Sequence, residues 1–163
     1  MTIANLPSRA VSKLELVRLR RSWKARGKCV VFTNGVFDII HAGHVDILTK
    51  AKAFGDILVV GLNSDASVRR LKGPSRPINK QKERATVLLA LKPVDHVCVF
   101  SEETPKQLIE LLRPDVLVKG SEYALSRIVG ADLVHSWGGN VRRVAMKKGF
   151  STTATIRRLR HAK

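Results

Sequence analysis

Four short, apolar-rich runs constrain this chain more than any other feature: CVVFTNG from Cys29, DILVVGLNSD from Asp56, VDHVCVF from Val94 and VLVKG from Val116. Each is too short for a core helix and closes in a turn or a polar stop. Each therefore reads as a strand covered on both faces. Helical patterns lie between them. One runs from about Ala42 to Phe54, with Val45, Leu48 and Ala51 at three-residue steps and Gly55 as its stop. The others are KQKERATVLLALKPVD and TPKQLIELLRPD; NVRRVAM reads as a last strand and TTATIRRLR as a final helix, while 123–137 is ambiguous. Strands separated by helices through short connections imply right-handed βαβ crossovers. The expected architecture is α/β, a Rossmann-like single domain with a mostly parallel five-stranded sheet flanked by helices. A length of 163 residues suits one such core.

The first helix starts at Ser12, a capping residue with Glu15 three positions on, and ends at Gly27. Leu14, Val17 and Leu19 are its expected apolar side. Residues 1–27 are taken as a basic helical extension and 28–163 as the main domain. The charge is concentrated at the two ends. Residues 1–28 hold eight Lys or Arg against Glu15 alone, and 141–163 hold eight with no acid, out of a net charge of +17. Such an excess attracts polyanions, and nucleic acid is one possible partner. Aromatic residues make up only 5%, and no zinc-finger or RNA-binding sheet motif is present, which argues against a stacking platform and a specific nucleic-acid function. No apolar run is long enough for a membrane span, and the N-terminus lacks the apolar stretch of a secretory signal. Cys29 and Cys98 sit in strand-like runs without metal-knuckle or redox spacing, so both are expected as reduced core residues of a cytoplasmic protein.

Parallel sheets bind ligands beyond the carboxyl ends of their strands. That rule selects Thr33 to His44, Asn63 to Lys72, and Lys119 to Tyr123. The richest of these is TNGVFDIIHAGH. Asn34 and Gly35 leave the strand in a turn. His41 and His44 then share one face at a helix start, with Gly43 keeping the surface between them low. Free N–H groups and the helix dipole favour an anion there, and two imidazoles can donate to phosphate oxygens. Two other uses fit the same spacing: a metal pair with Asp38 as a third ligand, or histidines that merely cap a turn. No Glu stands between the histidines as in a zinc hydrolase, and neither a Walker A loop nor a dinucleotide fingerprint occurs.

TNGVFDIIHAGHVDIL resembles the HxGH signature region of the cytidylyltransferase-like nucleotidyltransferases. NSDASVRRLKGPSRPIN, KERATVLLALKPVDHV, LRPDVLVKGSEY and GFSTTATIRRL, in that order, are similar to the branch that adenylylates D-glycero-β-D-manno-heptose 1-phosphate. The resemblance spans about residues 27–160 and makes 28–163 a nucleotidyltransferase domain. It implies that His41 and His44 contact the nucleotide phosphates and that Lys72, on a mobile connection after the second strand, reaches the reacting phosphates. It also implies nucleotide-binding roles for Asn34, Gly35, Phe37 and Asp38 around the first loop, and a supporting one for Arg84. Ser151, Thr152 and Thr153 would meet phosphate at a helix N-terminus. Thr33, Lys119 and Gly120 join this set from the strand ends. Val36 stands where a cysteine is often found, and MKKGFSTT carries Lys147 and Lys148 where glycerol-phosphate cytidylyltransferases have an arginine.

The implied reaction moves AMP from ATP to the sugar 1-phosphate, with Mg²⁺ bound mainly through the triphosphate and no protein metal ligand named. Its product would serve ADP-heptose and lipopolysaccharide biosynthesis. A homo-oligomer, in particular a dimer, is the family expectation. A related transferase, such as one joining CTP to glycerol 3-phosphate, shares most of the signature. A basic nucleic-acid-binding protein is the alternative from another class.

Overall fold

The computed structural model describes residues 9–145. Strands β1 (Val30–Gly35), β2 (Ile57–Asn63), β3 (His96–Phe100), β4 (Val116–Gly120) and β5 (Asn140–Val144) form one sheet in the order β3-β2-β1-β4-β5. Every pairing is parallel. The expected Rossmann-like sheet is present.

Six α-helices accompany the strands: α1 (Lys13–Ala25), α2 (Ala42–Lys52), α3 (Asp65–Lys72), α4 (Gln81–Ala90), α5 (Lys106–Leu112) and α6 (Ala131–Ser136). Alternation along the strands sends side chains to two cores. Val30, Phe32, Val59 and Leu117 pack with α1, α5 and α6, whereas Val31, Leu58, Val60 and Val118 pack with α2 and α4. Gly61 sits in β2 because a Cβ there would come within 2.7 Å of the Phe32 ring.

The free N–H groups at the amino ends of the strands are capped by carboxylates from the neighbouring strand entrances. Asp56 accepts from Cys29 N (2.8 Å), Asp95 from Leu58 N (2.6 Å) and Asp115 from Val30 N (2.7 Å). Each acid is also paired with a cation: Lys28, Lys52 and Arg20, respectively. Residues 9–11 run along the edge strand β3, with Val11 N donating to Val97 O and Val97 N to Arg9 O. That pairing blunts the edge.

The Ser12–Glu15 capping box is formed, with Glu15 N donating to Ser12 Oγ at 3.2 Å. The apolar side of α1 differs from the expectation. Leu14 is 64% exposed and Leu16 and Trp23 are the buried pair, because residues seven apart share a face. Cys98 is buried and Cys29 half-buried, and both are free thiols. No helix among the described residues is long and apolar enough to cross a membrane.

Trp23 shares the core of Phe32 and Phe100, so α1 is bound to the sheet by more than charge. Trp23→Ala should lower unfolding free energy by about 3–5 kcal/mol, the usual cost of emptying a large aromatic site. Leu14→Ala should cost under about 0.5 kcal/mol. Urea unfolding of both variants checks the contrast.

Candidate nucleotide site

Strand order reverses between β1 and β4, and the crevice beyond their carboxyl ends is where an open parallel sheet takes a ligand. Asn34 and Lys119 meet there. Lys119 Nζ donates to Asn34 Oδ1 at 2.5 Å and lies 5.8 Å from the Tyr123 ring centre. Burial pulls the Lys119 ammonium down to about 8, with Glu122 opposing the shift. Thr33 is buried just before the crevice, and Gly120 is buried at the end of β4.

After Gly35 the chain turns sharply. Phe37 adopts φ 47, a left-handed conformation costly for a bulky residue, and buries its ring to 8% exposure. That ring backs His44, with centroids 5.2 Å apart. His41 is the N-cap of α2 and makes no side-chain capping bond to the helix. It stacks instead on His44, at 3.8 Å between centroids and 21° between planes. Gly43, between them, is buried. Burial lowers His44 to about 4, aided by the His41 charge, and burial also lowers His41. Both shifts favour the uncharged imidazole, whose single ring N–H is a donor. An uncapped helix start beside two neutral donors suits an incoming phosphate.

Asp38 and Arg84 do not line the opening; they lie beneath it. Asp38 is 3% exposed, accepting from Ile78 N and Asn79 N, each at 2.9 Å, and from Arg76 Nε at 2.7 Å. Burial alone would raise its carboxyl, but those backbone N–H groups and Arg76 hold it below the ordinary carboxylate range. Arg84, 1% exposed, donates to Asn79 O, Val36 O, Asn63 O and Asp65 Oδ1 at 2.7–2.9 Å. The hydrogen bonds of Arg84 fit the supporting role expected of it, and those of Asp38 brace the same loops from below.

Lys72 lies after β2 beside Gly73, as expected, but on a helix and not on a loop. The segment after β2 is helix α3, and Lys72 is its exposed last residue, followed by Gly73 at φ 93. Asp65, inside the stretch selected after the second strand, and Arg76 and Asn79, which sequence reasoning did not single out, complete the bracing. The run SRPIN held the only signal, a polar and proline-marked loop just before a helix. Ser151, Thr152, Thr153, Lys147, Lys148 and the expected last helix lie outside the described residues.

The comparisons agree with this geometry. A model of the family described as cytidylyltransferase-like matches residues 32–158. The chain is 54% identical over 150 residues to the bifunctional protein HldE of Syntrophotalea carbinolica, covering 88% of this chain and 31% of that protein. It is 58% identical over 136 residues to the protein of the same name from Geobacter sulfurreducens, covering 83% and 28%. The chain thus spans less than a third of the length of these curated relatives. Among solved structures, a lipopolysaccharide core biosynthesis protein from Thermoplasma volcanium GSS1 superposes with TM-score 0.60 and 30% identity, over 76% of this chain and all (100%) of that one. A pantoate-beta-alanine ligase from Francisella tularensis superposes with TM-score 0.65 over 90% of this chain and 72% of its own, at 15% identity, a likeness of fold alone.

The histidine shift carries a sign. The unfolded imidazole titrates near 6.5 and folded His44 near 4, so between these values the unfolded state binds more protons. Stability should be unaffected by this group above about pH 6.5 and should fall as pH drops toward 4. His44→Asn should flatten that loss, read as a smaller change in urea midpoint between neutral and mildly acidic buffer. An unchanged slope would show that His44 is not the group responsible.

Proposed function

The chain belongs to the cytidylyltransferase-like family, and on that premise we propose that it transfers AMP from ATP to D-glycero-β-D-manno-heptose 1-phosphate, releasing pyrophosphate and giving ADP-heptose. The stacked His41–His44 pair at the uncapped start of α2, beside the β1/β4 crevice, carries this reading. The high identity to HldE proteins favours the heptose branch over a CTP-dependent glycerol-phosphate enzyme.

In this mechanism a sugar phosphate oxygen attacks the α-phosphorus of ATP in line, and the bond to pyrophosphate breaks. The nucleophile is already an anion, so no protein base is needed. The barrier lies in bringing two anions together and holding the charge that develops. His41 and His44 donate to the phosphate oxygens from neutral rings. As negative charge gathers beside them their protonated forms become favoured, which reverses the effect of burial. Asn34 and Lys119 hold the mouth of the crevice, and Lys72, at a helix end beside Gly73, is placed to swing onto the phosphates when ATP is bound. Asp38 and Arg84 keep the surrounding loops in position. Ser151 to Thr153 would supply a further phosphate cradle.

Mg²⁺ belongs to this proposal as an ion carried by the triphosphate. The described residues bring no three His, Cys, Asp or Glu side chains together into a cage, and an ion held by phosphates needs few protein ligands. Its contribution would be charge neutralisation. A cytoplasmic enzyme acting as a homo-oligomer, in particular a dimer, completes the proposal; light scattering of the purified chain tests the assembly.

Pyrophosphate release from ATP and heptose 1-phosphate, set beside CTP and glycerol 3-phosphate, tests the substrate pair directly. Release with CTP and glycerol 3-phosphate alone would refute the assignment. His44→Ala should reduce turnover by about a hundredfold or more, the usual loss when a donor aimed at developing charge is removed. Lys72→Ala should lower turnover strongly while ATP affinity, by calorimetry, stays close to wild type. Parallel losses in both would make Lys72 a ground-state binding residue.

A further inference from the structure

At the amino-terminal edge of the sheet, opposite the histidines, α1 and α5 leave an open cleft of about 820 Å³. Its walls come from α1, from residues 27–29 ahead of β1, from the end of α5, and from Asp115 and Trp137. The floor is apolar, formed by Val17, the 44%-exposed Leu111 and half-buried Trp137. The rim is basic, formed by Arg21, Lys24, Lys28 and Arg113. Among the described residues no ion pair engages Arg21, Lys24 or Arg113. Lys28 alone has a carboxylate, Asp56 at 3.5 Å.

Arg113 is held in an unusual way. It ends α5 at φ 48, where glycine or asparagine is the ordinary choice. That conformation sets its guanidinium 5.1 Å over the Trp137 ring, while Trp137 Nε1 donates to Pro114 O at 3.0 Å. A fixed tryptophan and an arginine side by side are residue types that dominate binding energy at protein interfaces, and the exposed Leu111 beside them adds apolar area.

We propose that this cleft docks an acidic segment of a partner polypeptide, its carboxylates on the basic rim and an apolar side chain against Leu111 and Trp137. Three other occupants fit less well. A small anion needs a rigid donor, and the best-fixed guanidinium, Arg20, is spent on Leu112 O, Arg113 O and Asp115. Single-stranded nucleic acid needs an open aromatic face, and the Trp137 face is covered by Arg113. A second copy meeting this face through its own cleft would set the basic rim of Arg21, Lys24, Lys28 and Arg113 against itself.

The test uses the full chain and a short synthetic peptide rich in Asp and Glu, with Leu and Phe at helical spacing. Its comparators are the same peptide with Ser in place of Leu and Phe, and an oligouridylate. Binding is followed at physiological salt by anisotropy of the labelled ligand and by tryptophan emission. Trp23 is buried at 3% exposure, so a change in emission reports Trp137. The amphipathic acidic peptide should bind and shift that emission. Leu111→Ala, and separately the pair Lys24→Glu with Arg113→Glu, should each weaken binding by about tenfold or more. Lys92→Glu, an exposed charge away from the cleft, should leave it unchanged. All these positions are exposed, and circular dichroism confirms folding before binding is read. No binding by wild type, equal binding of the Ser-substituted peptide, an equal loss in Lys92→Glu, or tighter oligouridylate binding through the same residues would each overturn the proposal.

Discussion

Arg84 is a cation at 1% exposure, and its guanidinium ties together three stretches of chain beyond the carboxyl ends of β1 and β2. It donates to Val36 O after β1, to Asn63 O at the end of β2, and to Asn79 O before its own helix. Asp65, at the start of α3, supplies the counter-charge at 2.7 Å. A buried cation is tolerated only when its donors are satisfied in this way. The planar fork matters as much as the charge, since one lysine ammonium could not reach in so many directions. Asp38 does the complementary work from the other side, binding Asn79 and Ile78 through their N–H groups. The turn that presents Phe37 and the histidines is therefore pinned from below by an acid and a base that never meet each other.

The sheet is polarised by what caps its two ends. Asp56, Asp95 and Asp115 take the free N–H groups at the amino edge and are themselves neutralised by Lys28, Lys52 and Arg20. The carboxyl edge instead gathers Lys119 and the neutral histidine pair. An acidic group added at that edge would oppose an anionic ligand, and Glu122 is the one whose charge is felt by Lys119. A strongly basic chain thus spends several of its few acids on structure and leaves the ligand edge receptive to phosphate.

Much of this was legible in the sequence. Buried parallel strands announce themselves as short apolar-rich runs, so β1 to β4 were readable, and NVRRV was plausible because β5 is an edge strand with an exposed outer face. Helix α3 was not readable. Of DASVRRLK only Ser67 and Val68 are buried, too few for an apolar period, and its Ser64 cap looks like loop chemistry. α6 hid for a similar reason, with two buried residues, Ala131 and Val134, in a six-residue helix. Motif spacing brought His41, His44, Asn34 and Lys119 to one end of the sheet correctly. It could not show how deep Asp38 lies beneath the opening, because that depends on the depth of a loop and not on its order.

The histidine pair shows what such bracing is for. Two imidazoles stacked at 3.8 Å repel when charged, and burial makes protonation of His44 harder still. Left to relax, the rings would separate or turn toward water. The Phe37 ring behind His44 and the left-handed turn that places it prevent this, at the cost of backbone strain. The free protein therefore holds two neutral donors in a space that a cation pair would not occupy. An anion entering that space lowers the cost of protonation on both rings together, so the response of the site grows with the charge it receives.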